Sequence, residues 1–277
     1  MYPQGEPWGS RSNLADYLRI IPFKNGDSHG GAVVARPPLF TGVLPEDYTR
    51  IAAAARIKQF TRGEVLHLEG DSVQRVLVLT SGFAKISKLG MSGMEVILRF
   101  GVPGDVLGGA DLFSTGSHRT TAQVFRTSRA LVWDAVAFKA LVERHPVLHQ
   151  NMARILGGDL LELEERFREV ATEKVGQRVA RQLLRLQDQI GRWVDGEIEI
   201  GISREELAQM TGTTLFTVSR LLSAWEALGM VRPRREAVTI CDVPSLRAIG
   251  RGDKSLGSGE SGSGPKPLFQ KALGMSG

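Results

Sequence analysis

Cysteine is almost absent from this chain: its 277 residues hold one, Cys241. A single thiol closes no disulfide within the chain, and it cannot supply the cysteine set of an iron–sulfur cluster or a cysteine-ligated zinc. Histidine is scarce too. Its five copies are scattered, without the clustered His and carboxylates on neighbouring strands that a β-fold metalloenzyme needs. No apolar run approaches the ~20 residues of a membrane helix, and no basic start followed by an apolar segment opens the chain, so a cytoplasmic protein without a membrane partner is expected. No catalytic constellation is found, which points away from an enzyme. What is present is a globular composition, 42% hydrophobic and 23% charged, with enough apolar material for two cores and a net charge of +5 compatible with a polyanionic partner.

The pattern changes along the chain. Residues 1–36 are rich in Gly, Pro and Ser and read as an arm, and residues 251–277, with SLGSGESGSGPKP, read as a tail. Residues 39–60 carry a helical pattern. Short β-branched runs follow, GEVLHLEGD, RVLVLTSGFAKISK, EVILRFGVPGDVLGG, TTAQVFR and SRALVWDA, with turns at Gly63, Gly70, Gly82, Gly104 and Gly108, as in an antiparallel barrel or roll. A helix over residues 136–143 closes that unit. In the next helical stretch, residues 146–174, Leu156, Leu160, Leu163, Phe167 and Val170 recur at alternating steps of four and three. This is a heptad seam suited to a second copy of the chain, and Glu162, Glu164, Glu165, Arg166, Arg168 and Glu169 fall on the outward positions. The expected fold is α+β: a jelly-roll sensor over 37–145, a dimerisation helix over 146–174, and a second domain over 175–250 with a helix VARQLLRLQDQIG and a short strand pair near Glu197.

The most specific signal is ISREELAQMTGTTLFTVSRLLSAWEALGMVRPRREAVTI. Ser203 and Glu206 have capping-box spacing, so a helix starts there and runs over Arg204 to Met210. Thr211-Gly212-Thr213 turns the chain, and a second helix begins at Thr214. On it Leu215, Val218, Leu221, Leu222, Trp225 and Leu228 form an inward face. Thr213, Phe216, Thr217 and Arg220 form the outer one, and Gly229 ends the helix. This is a helix-turn-helix whose second helix suits the major groove of double-stranded DNA. An arginine can bridge the two acceptors of a guanine edge, and Phe216 can meet a thymine methyl. Arg232, Arg234 and Arg235 on a following hairpin are placed to meet phosphates. The expected DNA-contact set is Ser203, Arg204, Thr213, Thr214, Phe216, Thr217, Ser219, Arg220, Arg232 and Arg234.

The order β-roll, long helix, helix-turn-helix and basic hairpin resembles the Crp/Fnr superfamily of bacterial transcription regulators. The segments carrying the resemblance are RGEVLHLEGD, GDVLGGADLF, HRTTAQV, TEKVGQRVARQLL and ISREELAQMTGTTLFTVSRLL. It implies a homodimer on a two-fold DNA site, an effector in the β-roll, and RNA polymerase as a partner where the outcome is activation. In members that bind cyclic AMP, an Arg-Ser or Arg-Thr pair cradles the phosphate and a Glu holds the ribose. Here Arg119 and Thr120 match the pair and Gly108 matches the start of the cassette, but Gly109 stands where the Glu belongs. Leu163 and Glu164 replace the hydroxyl residues that reach the base. The effector set is thus Gly108, Gly109, Arg119 and Thr120, with a nucleotide or another anion as the occupant. Haem ligated by one of His67, His118, His145 or His149 is the alternative within the family, and iron–sulfur sensing is excluded. Ser219 and Arg220 match the family's Ser-Arg ending, and Phe216 replaces a common Glu. A regulatory module acting through a protein partner is the reading from another class.

Overall fold

The structure, a computed structural model, describes residues 36–253. The arm and the tail therefore lie outside the described residues except at Arg36 and residues 251–253. Arg36 donates to the Val43 carbonyl at 2.7 Å and sits over the Tyr48 ring, and Arg251 is the last residue of a helix.

A 3-10 turn, Pro38–Phe40, leads into α1, Pro45–Ala53, which starts with proline at the position where a missing N–H costs nothing. The helical expectation for 39–60 fails at its end, because Arg56–Phe60 is strand β1, paired antiparallel with residues 128–132. The strands that follow are β2 (Val65–His67), β3 (Arg75–Leu89), β4 (Glu95–Gly101), β5 (Val106–Leu107) and, after the short helix α2 (Gly109–Phe113), β6 (Thr121–Asp134). The two runs expected around Phe125 and Leu131 are this single strand. All pairings are antiparallel, in the order β1-β6-β3-β4, with β2 on β6 and β5 on β3. Gly82 is no turn. It lies inside β3 at φ +77, where the register shifts, and a Cβ there would stand 2.4 Å from the Thr127 carbonyl.

One apolar core, with Leu77, Leu79, Ile86, Leu107 and Val124, fills the roll. Another forms beneath α1, α3 (Ala135–Arg144) and the start of α4 (Pro146–Thr172), around Phe40, Trp133, Phe138 and Leu148. Two buried polar groups pin it: Trp133 Nε1 donates to the Ile51 carbonyl at 2.9 Å, and Asn151 Nδ2 donates to the carbonyls of Leu39 and Thr41.

Beyond α4 come α5 (Val175–Ile190), the strands β7 (Arg192–Val194) and β8 (Glu197–Ile200), α6 (Arg204–Thr211), α7 (Leu215–Ala227), β9 (Val231–Pro233), β10 (Val238–Ile240) and α8 (Val243–Arg251). The small sheet runs β7-β8-β10-β9. A third core joins Leu183, Leu186, Leu207, Val218, Leu222 and Trp225 and continues into the roll through Phe100 and Phe125. Arg126 seals that junction. Its guanidinium lies over the Phe83 and Phe125 rings and donates to the Ile190 carbonyl at 3.2 Å. It also takes the space beside Gly201 where a Cβ would be 2.6 Å from its Nη2.

Candidate DNA-binding face and effector cavity

The helix-turn-helix is assembled by its caps. Ser203 Oγ accepts from the Glu206 N–H at 3.1 Å while the Glu206 carboxylate accepts from the Ser203 N–H at 2.9 Å. Helix α6 extends to Thr211, one residue past expectation, and Gly212 closes it at φ +60. Thr214 caps α7, its hydroxyl accepting from the Thr217 N–H at 3.2 Å and contacting the Thr217 hydroxyl at 3.0 Å. The Ser203→Ala variant is expected to lose about 1 kcal/mol of stability, read as a lower urea midpoint at unchanged slope.

The inward face of α7 holds at its centre, with Val218, Leu222 and Trp225 buried. Leu215 and Leu228, expected inside, are 51% and 60% exposed. They stand at the first position of the helix and just beyond its last residue, where the helix overhangs its core. The outer face carries Phe216, 77% exposed, with Arg220 exposed and Thr213, Thr217 and Ser219 half-buried. Arg204 sits half-buried at the first position of α6. On the wing, Arg232 pairs with Glu197 at 2.5 Å and Arg234 with Glu199 at 3.4 Å. The neighbouring β8 thus already neutralises part of the basic hairpin.

Sequence reasoning missed how the reading head is tied to the long helix. Arg178 donates to the carbonyls of Glu173 at 2.8 Å and Thr211 at 3.2 Å, so one side chain joins the α4–α5 corner to the turn of the motif. Glu169, expected on the wet face, is 3% exposed and takes a two-pronged bond from Arg185 on α5, both contacts 2.7 Å. Arg166 is half-buried and donates to the Leu98 carbonyl of β4. The seam residues Leu156, Leu160, Leu163, Phe167 and Val170 are 41–74% exposed.

Between the roll and α4 lies a cavity of about 400 Å³. Gly108, Arg119 and Thr120 line it, as do Leu156, Leu160 and Leu163, so three of the five seam residues double as its wall. Gly109 does not reach it. Its position is buried, and a Cβ would stand 2.9 Å from Val106 Cγ1 and 3.3 Å from Met152 Sδ. A side chain at 109 would crowd Val106, itself a wall residue, and Met152 of the core. Asp111, unremarked in the sequence, is 8% exposed. It accepts from Arg119 Nε at 2.7 Å and from the Arg119 N–H at 3.3 Å. Burial pulls its carboxyl up, but His118, 3.7 Å away, and the hydrogen bonds from Arg119 prevail and hold it down at about 2.

His67 and His118 stack face to face, centroids 3.7 Å apart and planes within 1°. Desolvation, and then the neighbouring His118, lowers His67 to about 4, so it stays neutral at physiological pH. His145 lies 3.8 Å from Asp47, and His149 packs near Phe113, each on its own part of the surface. Among the described residues no three His, Cys, Asp or Glu side chains gather as a metal site, and no helix is long and apolar enough to cross a membrane.

An antiparallel roll with a cavity against a long helix, followed by a capped helix-turn-helix and wing, defines a DNA-binding transcription regulator with an effector-binding domain. The comparisons agree with that class. Residues 57–145 match the cyclic nucleotide-binding domain family and residues 177–249 the Crp-like helix-turn-helix domain family. The chain is 26% identical to a CRP-like cAMP-activated global transcriptional regulator of Mycobacterium tuberculosis, over 77% of this chain and 96% of that protein. It is 27% identical to the cyclic AMP receptor protein of Thermus thermophilus, over 78% and 97%. A solved CRP-family transcriptional regulator, also from Thermus thermophilus, superimposes with a TM-score of 0.63 at 25% identity, covering 70% of this chain and 96% of that one. The c-di-GMP responsive regulator CLP of Xanthomonas campestris shares the fold at a TM-score of 0.64 and 18% identity, over 70% and 98%. The chain belongs to the Crp/Fnr family of transcription regulators.

Proposed function

We propose that the chain acts in the cytoplasm as a homodimer that reads a two-fold DNA site, with its affinity set by a small effector in the β-roll cavity. The division of labour is a sensor over 37–145, a pairing helix over 146–174 and a reading head over 175–250. Relatives described as cAMP-activated support an effector-controlled regulator. The aliphatic Leu163 on the cavity wall argues for a different occupant here. RNA polymerase is the partner where the outcome is activation.

The observation that carries the DNA-reading role is the outer face of α7. A 77% exposed Phe216 lies one turn from Arg220, on a helix whose other face is locked by Val218, Leu222 and Trp225. A solvated helix gains nothing from an exposed aromatic, whereas in a major groove Phe216 meets a thymine methyl and Arg220 a guanine edge. Ser203, Arg204, Thr213, Thr214, Thr217 and Ser219 line the approach to the backbone. Arg232 and Arg234 exchange their carboxylate partners for phosphates, adding affinity without sequence preference.

The test is Arg220→Ala in a binding-site selection. The variant is expected to lose roughly 1–3 kcal/mol at the selected site and to relax preference at one base pair of each half-site. Unchanged selectivity would remove Arg220 from base reading.

A further inference from the structure

Resting on the reading of the cavity as the effector site, we propose that its ligand is a carboxylic acid with an aliphatic body, a monoanion held end-on by Arg119.

Arg119 is the most exposed of the Lys and Arg side chains that line the cavity. The other cations are engaged by carboxylates: Lys88 by Glu69 at 3.0 Å, Arg99 by Asp105 at 2.5 Å and Asp159 at 3.6 Å, and Arg166 by Glu162 at 2.5 Å. Arg119 is held differently. Asp111 grips it through Nε and the backbone N–H, while its side chain remains 58% exposed and its Nη nitrogens keep no partner among the described residues. The buried, ionised Asp111 therefore fixes the guanidinium plane and leaves its end-on fork open. That fork matches the two oxygens of one carboxylate. The charge balance of the wall also favours a single negative charge, because Asp111, Asp159 and Glu162 all border the same space and would repel a dianion.

The remaining lining states what the body of the ligand must be. Leu98, Val106 and Leu107 of the roll face Leu156, Leu160 and Leu163 of α4, and among the described residues no Phe, Tyr or Trp borders the cavity to stack a base. The carboxylates that could take sugar hydroxyls are occupied by Arg99 and Arg166. An aliphatic chain gains from contact with these Leu and Val walls and strands no polar group of its own. Because three of the wall leucines belong to the pairing seam, such a ligand would bear on the helix that joins two copies.

The experiment titrates the full chain calorimetrically with decanoate below its micelle concentration, with 1-decanol and with 3′,5′-cyclic AMP, and repeats the series on Arg119→Gln. Saturable decanoate binding is expected, at least tenfold weaker in the variant, with decanol and cyclic AMP at least tenfold weaker than decanoate in the wild type. Cyclic AMP binding tighter than decanoate and lost in Arg119→Gln would overturn the ligand class while leaving the cavity as an effector site. Decanoate binding indifferent to Arg119, or matched by decanol, would overturn the end-on carboxylate. If neither decanoate nor cyclic AMP binds in an Arg119-dependent way, the ligand class falls together with the effector reading of the cavity.

Discussion

Replacing Arg185 with alanine is expected to destabilise the protein by roughly 3–5 kcal/mol, the cost of breaking a buried ion pair from one side. Glu169 is 3% exposed, and its two oxygens receive the two Arg185 contacts at 2.7 Å. With Arg185 gone, the nearest cation is Arg181 at 3.9 Å, a distance at which no hydrogen bond replaces those lost. The carboxylate is left desolvated and undercompensated, so the variant unfolds at a lower urea concentration. The double variant Arg185→Leu, Glu169→Leu removes both charges at once and is expected to recover most of the loss. A single variant as stable as the wild type would mean that the pair contributes nothing. The pair spans the corner between α4 and α5, two helices joined by only Glu173 and Lys174. The same contact thus ties the cavity wall to the first helix of the reading head.

None of this corner could be read from the sequence, and the reason is physical. Glu169 sits among Arg and Glu residues at spacings that make a solvated helix face. Only the fold of α5 back across α4 buries it, through a partner 16 residues away. Arg126 and Gly201 are a second case: an arginine in a strand and a glycine before a cap each look ordinary, and their shared space arises from packing the reading head on the roll. The helix-turn-helix, by contrast, was legible almost to the residue, since its caps and turn are local. Ser203, Glu206, Gly212 and Thr214 act within three or four residues of their targets. The errors fall where local pattern yields to tertiary pairing. Arg56–Phe60 follows an alanine run without a breaker and becomes strand because β6 offers it a ladder. Leu215 and Leu228 fit the helical period but lie past the ends of the surface that the period serves. In the cavity, Arg119 and Thr120 were found by resemblance. Asp111 was not, because its role depends on a bond to Arg119 across the bend after α2.

Leu163→Asp is expected to lower affinity for a two-fold site by roughly 10²–10⁴-fold while leaving the affinity of a single half-site unchanged. Leu163 is 53% exposed on α4, in line with Leu160 at 55% and Phe167 at 74%. So large an apolar stripe marks an interaction surface, and in the proposed homodimer a second copy of the same stripe would cover it by heptad packing. An aspartate at the centre of that seam meets its own copy across the two-fold axis, placing two desolvated carboxylates side by side. Separation of the copies turns one bivalent binding event into two independent ones, and the lost factor is the effective concentration that pairing supplied. Sedimentation would report a dimer for the wild type and a monomer for the variant. Because the substitution lies on an exposed face, the thermal unfolding of the monomer should retain the cooperative transition of a folded chain. A wild type that sediments as a monomer, or a variant that keeps full affinity for the two-fold site, would overturn the pairing of α4. Leu163 also borders the cavity whereas Phe167 does not, so Phe167→Asp is expected to lose pairing in sedimentation while keeping the decanoate titration of the wild type.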